Sequence, residues 1–177
     1  LNGKVTMMDL NYIQTPLRNQ TIEEQIKDFY LLNNKERTYQ HVLGVAMAAE
    51  KLALQYQEDI RACIVAALLH DISAVITPQD MMKIANELQW QLDSAEKIYP
   101  FLLHQKISAL IAYEYFQIRN LSILKAIETH TTLRSNPSKL DMIIFIADKL
   151  AWNQPGEPPF NKNIEMALND SLEADCY

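Results

Sequence analysis

"AALLHDISAV", residues 66–75, decides the fold. An apolar run suited to a protein interior ends on His70 and Asp71, side by side. A buried carboxylate is costly unless it is hydrogen-bonded, paired with a cation or bound to a metal. The residues leading into the pair, Val65, Ala66 and Leu69, have helical spacing. The stretch that carries them reads as a helix from Glu58 to Ile72.

Working outward from it gives helix after helix. Upstream, Thr21 and Glu24 form a capping box for "IEEQIKDFYLL". The next helix runs from Lys35 to Tyr56 on the stripe Val45, Ala48, Leu52 and Tyr56. Downstream, Thr77 and Pro78 supply cap and first-turn proline for "QDMMKIANELQ". "HQKISALIAYEYF" follows, Asn120 caps "LSILKAIETHT", and Asn136 with Pro137 opens "SKLDMIIFIADKLAW". The proline-rich loop "NQPGEPPFNK" leads to a short final helix, "IEMALNDSLEA". Period-2 strand pairs, hairpin turns and repeats are absent from the sequence. The expectation is an all-α single domain of about eight helices over 21–177, preceded by an N-terminal arm, 1–20.

Composition agrees. The 177 residues hold only three glycines and are 49% apolar, which favours a helical core. A net charge of −6 argues against nucleic acid as a bulk electrostatic partner. Small phosphate ligands stay compatible, because bound metal supplies local positive charge. No segment approaches the length of a membrane span, and the first twenty residues lack the apolar run of a signal peptide, so the expected location is cytoplasmic. Cys63 reads as a core residue and Cys176 as an exposed one; two such cysteines make no disulfide framework.

All four histidines fall on apolar stripes. His41 precedes Val45 by one turn, His70 ends its run, His104 leads Ile107 and Ile111, and His130 follows Ile123 and Ile127. Asp148 sits four residues after Ile144. A single histidine on an apolar face is ordinarily a satisfied core residue, and a lone aspartate a salt-bridge partner. Here His41, His70, Asp71, His104, His130 and Asp148 share inward faces on five helices, and desolvated polar atoms need partners. Imidazole nitrogens and carboxylate oxygens are the usual ligands of iron, manganese and zinc. Six exceed what one catalytic ion needs and suit two ions bridged by a carboxylate.

The order of these residues resembles the H…HD…H…H…D signature of the dinuclear HD-domain phosphohydrolases. Within that superfamily the chain is similar to the bacterial symmetrical bis(5′-nucleosyl)-tetraphosphatases, the YqeK-like proteins once labelled HD hydrolases of NAD metabolism. The likeness is carried by "YQHVLGVAMAAEKLA", "AALLHD", "HTTLR", "IIFIADKL", Pro155–Gly156 and "ALNDSLEA". It implies that the six residues hold two metals, iron first and manganese or zinc next. Asp71 would bridge, and His70 and Asp71 would be the pair at the catalytic centre. It also implies that Arg134 helps bind phosphates, that diadenosine tetraphosphate is split into two ADP, and that the protein is a homodimer. Two cations would lower the pKa of a shared water and stabilise charge on phosphoryl oxygens.

Lys106, two residues after His104, is a second candidate for substrate phosphate, whereas Lys83, Lys139 and Lys149 read as solvated charges. Trp90, Tyr99, Phe101 and Tyr113 read mainly as packing residues, and Trp152 as the best candidate to stack on a base. The chain departs from the family at four positions. Ala74 replaces a lysine, Leu133 a glycine, Ala151 a glutamate and Thr38 an arginine. Two other readings stand beside the tetraphosphatase. One is an HD phosphohydrolase of a nucleoside mono-, di- or cyclic phosphate. The other is a regulatory protein that binds metal and nucleotide with little turnover, which Ala74 favours.

Overall fold

The structure, a computed structural model, describes residue 10, residues 12–16 and residues 19–151. The proline-rich loop, the final helix, Trp152 and Cys176 lie outside the described residues. Eight α-helices and no strand are present among those described: α1 Ile22–Leu32, α2 Glu36–Tyr56, α3 Ile60–Leu69, α4 Pro78–Glu87, α5 Ser94–Ile98, α6 His104–Glu114, α7 Leu121–Glu128 and α8 Lys139–Leu150. The all-α class is as expected.

Local chemistry explains most of the starts. The Glu24 N–H donates to Thr21 Oγ1 at 3.3 Å and the Thr21 N–H to Glu24 Oε2 at 2.9 Å, which is the capping box of α1. Thr77 caps α4 with Pro78 at its first position, and Asn120 caps α7.

Two helix ends and two short elements stand out against the sequence reading. The helix that carries His70 stops at Leu69, and the chain turns through Asp71 (φ −109°, ψ 19°) into a 3-10 turn, Ile72–Val75. Contacts with α6 take over there: the Ser73 N–H donates to Ser108 Oγ at 3.2 Å, and Ser73 Oγ donates to the His104 carbonyl at 2.9 Å. The cap of α8 is Ser138, not Asn136, which instead adopts a left-handed φ of 54° ahead of it. The short α5 and the 3-10 turn Pro100–Leu103 were not expected; five residues carry too little periodicity to be read. Their one legible signal was Asp93 with Glu96, a capping box.

The core forms around α3, in which Ala62, Cys63 and every residue from Val65 to Leu69 are buried. Helices α1, α2, α6, α7 and α8 all pack on it. Burial pushes the Cys63 thiol up to about 12, consistent with an inert core residue. The described part of the first twenty residues is tied to this body. Tyr12 Oη donates to Asp80 Oδ2 at 2.6 Å, Asn33 Nδ2 to the Gln14 carbonyl at 2.7 Å, and Tyr115 Oη to the Pro16 carbonyl at 3.1 Å. Among the described residues, no single helix is long and apolar enough to cross a membrane.

Gly44 lies inside α2 facing Ala151, and a Cβ added there would meet the Ala151 Cβ at 3.5 Å, an ordinary contact. Glycine in a helix interior costs about 0.5–1 kcal/mol relative to alanine. Gly44→Ala is therefore expected to stabilise the protein by about that amount, read as a higher urea midpoint at unchanged slope.

Candidate metal centre

Five helices bring the six residues of the sequence reading to one place. His41 comes from α2, His70 caps α3, Asp71 follows it, His104 opens α6, His130 lies just past α7, and Asp148 belongs to the last turn of α8. Three of the four histidines thus sit at helix ends, where a short change of direction aims the ring inward. His41 Nε2 lies 3.1 Å from Asp148 Oδ1, and His70 Nε2 lies 3.6 Å from the same oxygen. Asp71 faces both sides of the cluster. Its Oδ2 is 3.5 Å from His70 Nε2, while its Oδ1 is 3.5 Å from His130 Nε2 and 3.9 Å from His104 Nε2.

The ring orientations are fixed by the backbone. Nδ1 of His70, His104 and His130 donates to the carbonyl three residues earlier, at 2.7 Å (Ala67), 2.9 Å (Phe101) and 2.8 Å (Ile127). A carbonyl only accepts, so Nδ1 carries a proton and Nε2 is the atom each ring turns to the cluster, a lone pair wherever the ring is neutral. In the neutral rings His104 Nε2 and His130 Nε2 face each other at 3.2 Å as two lone pairs, neither able to donate to the other. His70 Nε2 is buried without a hydrogen-bond partner, and so is His41 Nδ1, among the described residues. Cations held by these nitrogens would remove the first of these mismatches and give His70 Nε2 its partner.

The donors divide into two groups, His41–His70–Asp71 and Asp71–His104–His130, each with ligand atoms within 4.8 Å of one another. Asp71 belongs to both. Burial opposes ionisation of Asp71, but His70, His130 and His104 together hold it well below the usual carboxylate range. Asp148 is likewise held down against burial by His41, His70 and Lys149. Burial resists charge on His70, yet Asp71 and Asp148 outweigh it and push the imidazole up to about 9. Burial and the neighbouring His130 lower His104. The result is two ionised carboxylates and converging imidazole nitrogens in an interior, a donor set that suits iron, manganese or zinc.

The substrate-binding candidates are already engaged. Lys106 Nζ lies 2.5 Å from Glu96 Oε1. Arg134 places Nε at 2.8 Å and Nη2 at 2.6 Å from Oδ2 of the fully buried Asp141, which also closes the capping box of α8. Both cations line a cavity of about 530 Å³ with Lys125, Glu128 and Thr132, beside the His104–His130 end. Arg134→Ala leaves Asp141 buried without its guanidinium. The expected loss is about 2–3 kcal/mol, reduced from a fully buried pair because Arg134 is half exposed, and thermal unfolding measures it.

The sequence reading missed three features. Lys149 is no free surface charge: its Nζ is 2.7 Å from Asp148 Oδ2 and 4.8 Å from the centroid of the Phe145 ring. Adjacency to Asp148 was the only signal. Tyr99 and Phe101 are exposed, and the Phe101 ring stacks on His104 at 4.7 Å with an interplanar angle of 12°. Leu133 adopts φ 53°, so the position where the resembled family carries glycine is left-handed.

Comparison with known proteins follows the same lines. The HD domain family model matches residues 38–153, which contain all six converging side chains. A Lactococcus lactis subsp. cremoris protein, described as uncharacterised and encoded in the pepC 5′ region, is 38% identical over 110 residues; the match covers 62% of this chain and 56% of that protein. The chain thus spans little more than half of that relative. A Halalkalibacterium halodurans protein named bis(5′-nucleosyl)-tetraphosphatase, symmetrical, is 33% identical over 140 residues, covering 77% of this chain and 74% of its own. Among solved structures, a predicted HD superfamily hydrolase involved in NAD metabolism from Clostridium acetobutylicum superposes with a TM-score of 0.77 at 30% identity, over 86% of this chain and 80% of that one.

Proposed function

The chain belongs to the HD-domain family, and on that premise we propose that it is a metal-dependent phosphohydrolase that splits diadenosine tetraphosphate into two molecules of ADP. The observation that carries the reading is Asp71, whose two oxygens face two different sets of histidines. In this reading His41, His70, Asp71 and Asp148 would hold one cation, and Asp71, His104 and His130 would hold the other. We assign iron to both positions. When bound, such cations supply Lewis acidity toward a phosphoryl oxygen and lower the pKa of water.

The protein's own groups do the rest. The Nδ1 hydrogen bonds of His70, His104 and His130 hold the rings aimed inward. Lys149 occupies Asp148 Oδ2, so that carboxylate offers Oδ1 to the side of His41 and His70. Two divalent ions against two carboxylates leave the centre net positive, and an acidic protein thereby attracts a polyphosphate. Arg134, whose Nη1 is not used by Asp141, and Lys106 are the rim cations of this proposal. The H. halodurans relative supports the choice of substrate by its name. The proposal also takes 21–177 as the HD domain with 1–20 as an arm. It makes the protein a cytoplasmic homodimer, whose assembly sedimentation measures.

One experiment tests it. The protein is purified without added metal, its iron, manganese and zinc are quantified, and a panel of phosphate esters is assayed with product identification. ADP as sole product from diadenosine tetraphosphate is the expected result. ATP plus AMP contradicts symmetrical cleavage. Turnover of only a mono-, di- or cyclic phosphate moves the substrate to that class. Two bound metals with no turnover favours a regulatory protein, the reading that Ala74 supports.

A further inference from the structure

Thr129, His130, Thr131 and Thr132 form the turn that follows α7. Two of the threonines use their hydroxyls locally or in a scaffold. Thr129 Oγ1 donates to the Lys125 carbonyl at 2.9 Å, the back-bond that a threonine at a helix end makes to the residue four before it. Thr132 Oγ1 accepts from Gln105 Nε2 at 3.3 Å. Thr131 does neither. Its Oγ1 reaches across to α6 and lies 3.1 Å from His104 Nε2. His104 Nδ1 already donates to the Phe101 carbonyl, so in the neutral ring Nε2 accepts and the Thr131 hydroxyl is the donor.

The position of that hydroxyl is set in advance. The Thr131 N–H donates to Gln105 Oε1 at 3.2 Å, so the buried Gln105 amide holds both Thr131 and Thr132 from the facing helix. The Leu133 N–H donates to the Thr129 carbonyl at 2.8 Å and closes the turn. A donor fixed by its scaffold costs no reorganisation when a ligand arrives.

Coordination through His104 Nε2 consumes the lone pair that the Thr131 hydroxyl now uses. The hydroxyl is half-buried and borders the His104–His130 side of the centre, so it needs another acceptor there. Phosphoryl oxygens are anionic and accept only, which makes them the strongest acceptors a nucleotide brings. We propose that Thr131 is a substrate-contacting residue, whose hydroxyl donates to a phosphoryl oxygen at the His104–His130 side, with Gln105 as its positioning residue. This rests on the phosphohydrolase reading above and is independent of which nucleotide is cleaved.

The test titrates inorganic phosphate, and separately ADP, into metal-loaded full-length protein by calorimetry, with metal content measured on each sample. Thr131→Val keeps the shape and removes the hydroxyl. It is expected to retain both metals and bind phosphate roughly tenfold more weakly, the worth of one hydrogen bond to a charged group. Thr131→Ser restores the affinity. Gln105→Leu weakens phosphate binding with the hydroxyl still present and the metal content unchanged. Unchanged affinity in Thr131→Val overturns the proposal, and so does a loss that tracks lost metal or fails to be rescued by serine. If the parent protein leaves diadenosine tetraphosphate intact while Thr131→Val still weakens phosphate, the substrate assignment fails and this contact stands.

Discussion

Asp71→Ala is expected to empty the protein of both metals and to lower phosphoanhydride hydrolysis by roughly three orders of magnitude or more, since each tenfold corresponds to 1.36 kcal/mol of lost transition-state stabilisation. Asp71 is the one side chain that belongs to both ligand groups, so removing it opens both at once. Removing a ligand from only one group, as in His41→Ala, is expected to cost less metal. Helical content should persist, because Asp71 lies in the turn after α3 rather than within a helix. The double variant His70→Ala with Asp71→Ala should behave alike. Elemental analysis and circular dichroism together check the result; full metal content in Asp71→Ala would exclude it as the bridging ligand.

Phe29→Ala is the largest expected stability effect. Phe29 is fully buried in α1, with ring centroids 5.5 Å from Tyr115 and 5.6 Å from Phe116 at the far end of α6. Truncating such a ring removes its transfer energy and leaves a cavity, for about 3–5 kcal/mol. Since α1 precedes the first residue matched by the HD domain family, the variant also asks whether that helix belongs to the same cooperative unit. A single unfolding transition at lower denaturant says that it does. An unchanged main transition, with α1 lost separately, says that it does not.

Much of this was legible because it is periodic or ordered along the chain. The apolar stripes of α2, α3, α6, α7 and α8 placed each inward polar residue, and the order of those residues carried the family resemblance. Position along a stripe says that a ring faces inward but not which nitrogen leads. The Nδ1 bonds of His70, His104 and His130 to carbonyls three residues back arise from helix ends, and His70 itself was read as lying within a longer helix. The same limit explains Lys149. Its identity as a charge was plain, but its pairing with Asp148 depends on rotamers that spacing does not specify. Arg134 was singled out as a phosphate contact, whereas its grip on Asp141 depends on α8 starting at Ser138 rather than Asn136, a shift that one capping hydroxyl decides.

The contact between His41 and Asp148 joins residues 107 positions apart. With the remaining donors strung between them, two cations joined through Asp71 would tie five helices into nested covalent-like loops. Closing such loops in the unfolded chain is entropically expensive, and the expense grows only slowly with loop length. The long separation is thus no handicap, and the centre would act on the fold as a removable cross-link. Unfolding temperature should then rise with free metal concentration, and chelation should loosen the α2–α8 seam and the α6–α7 pair together rather than one at a time.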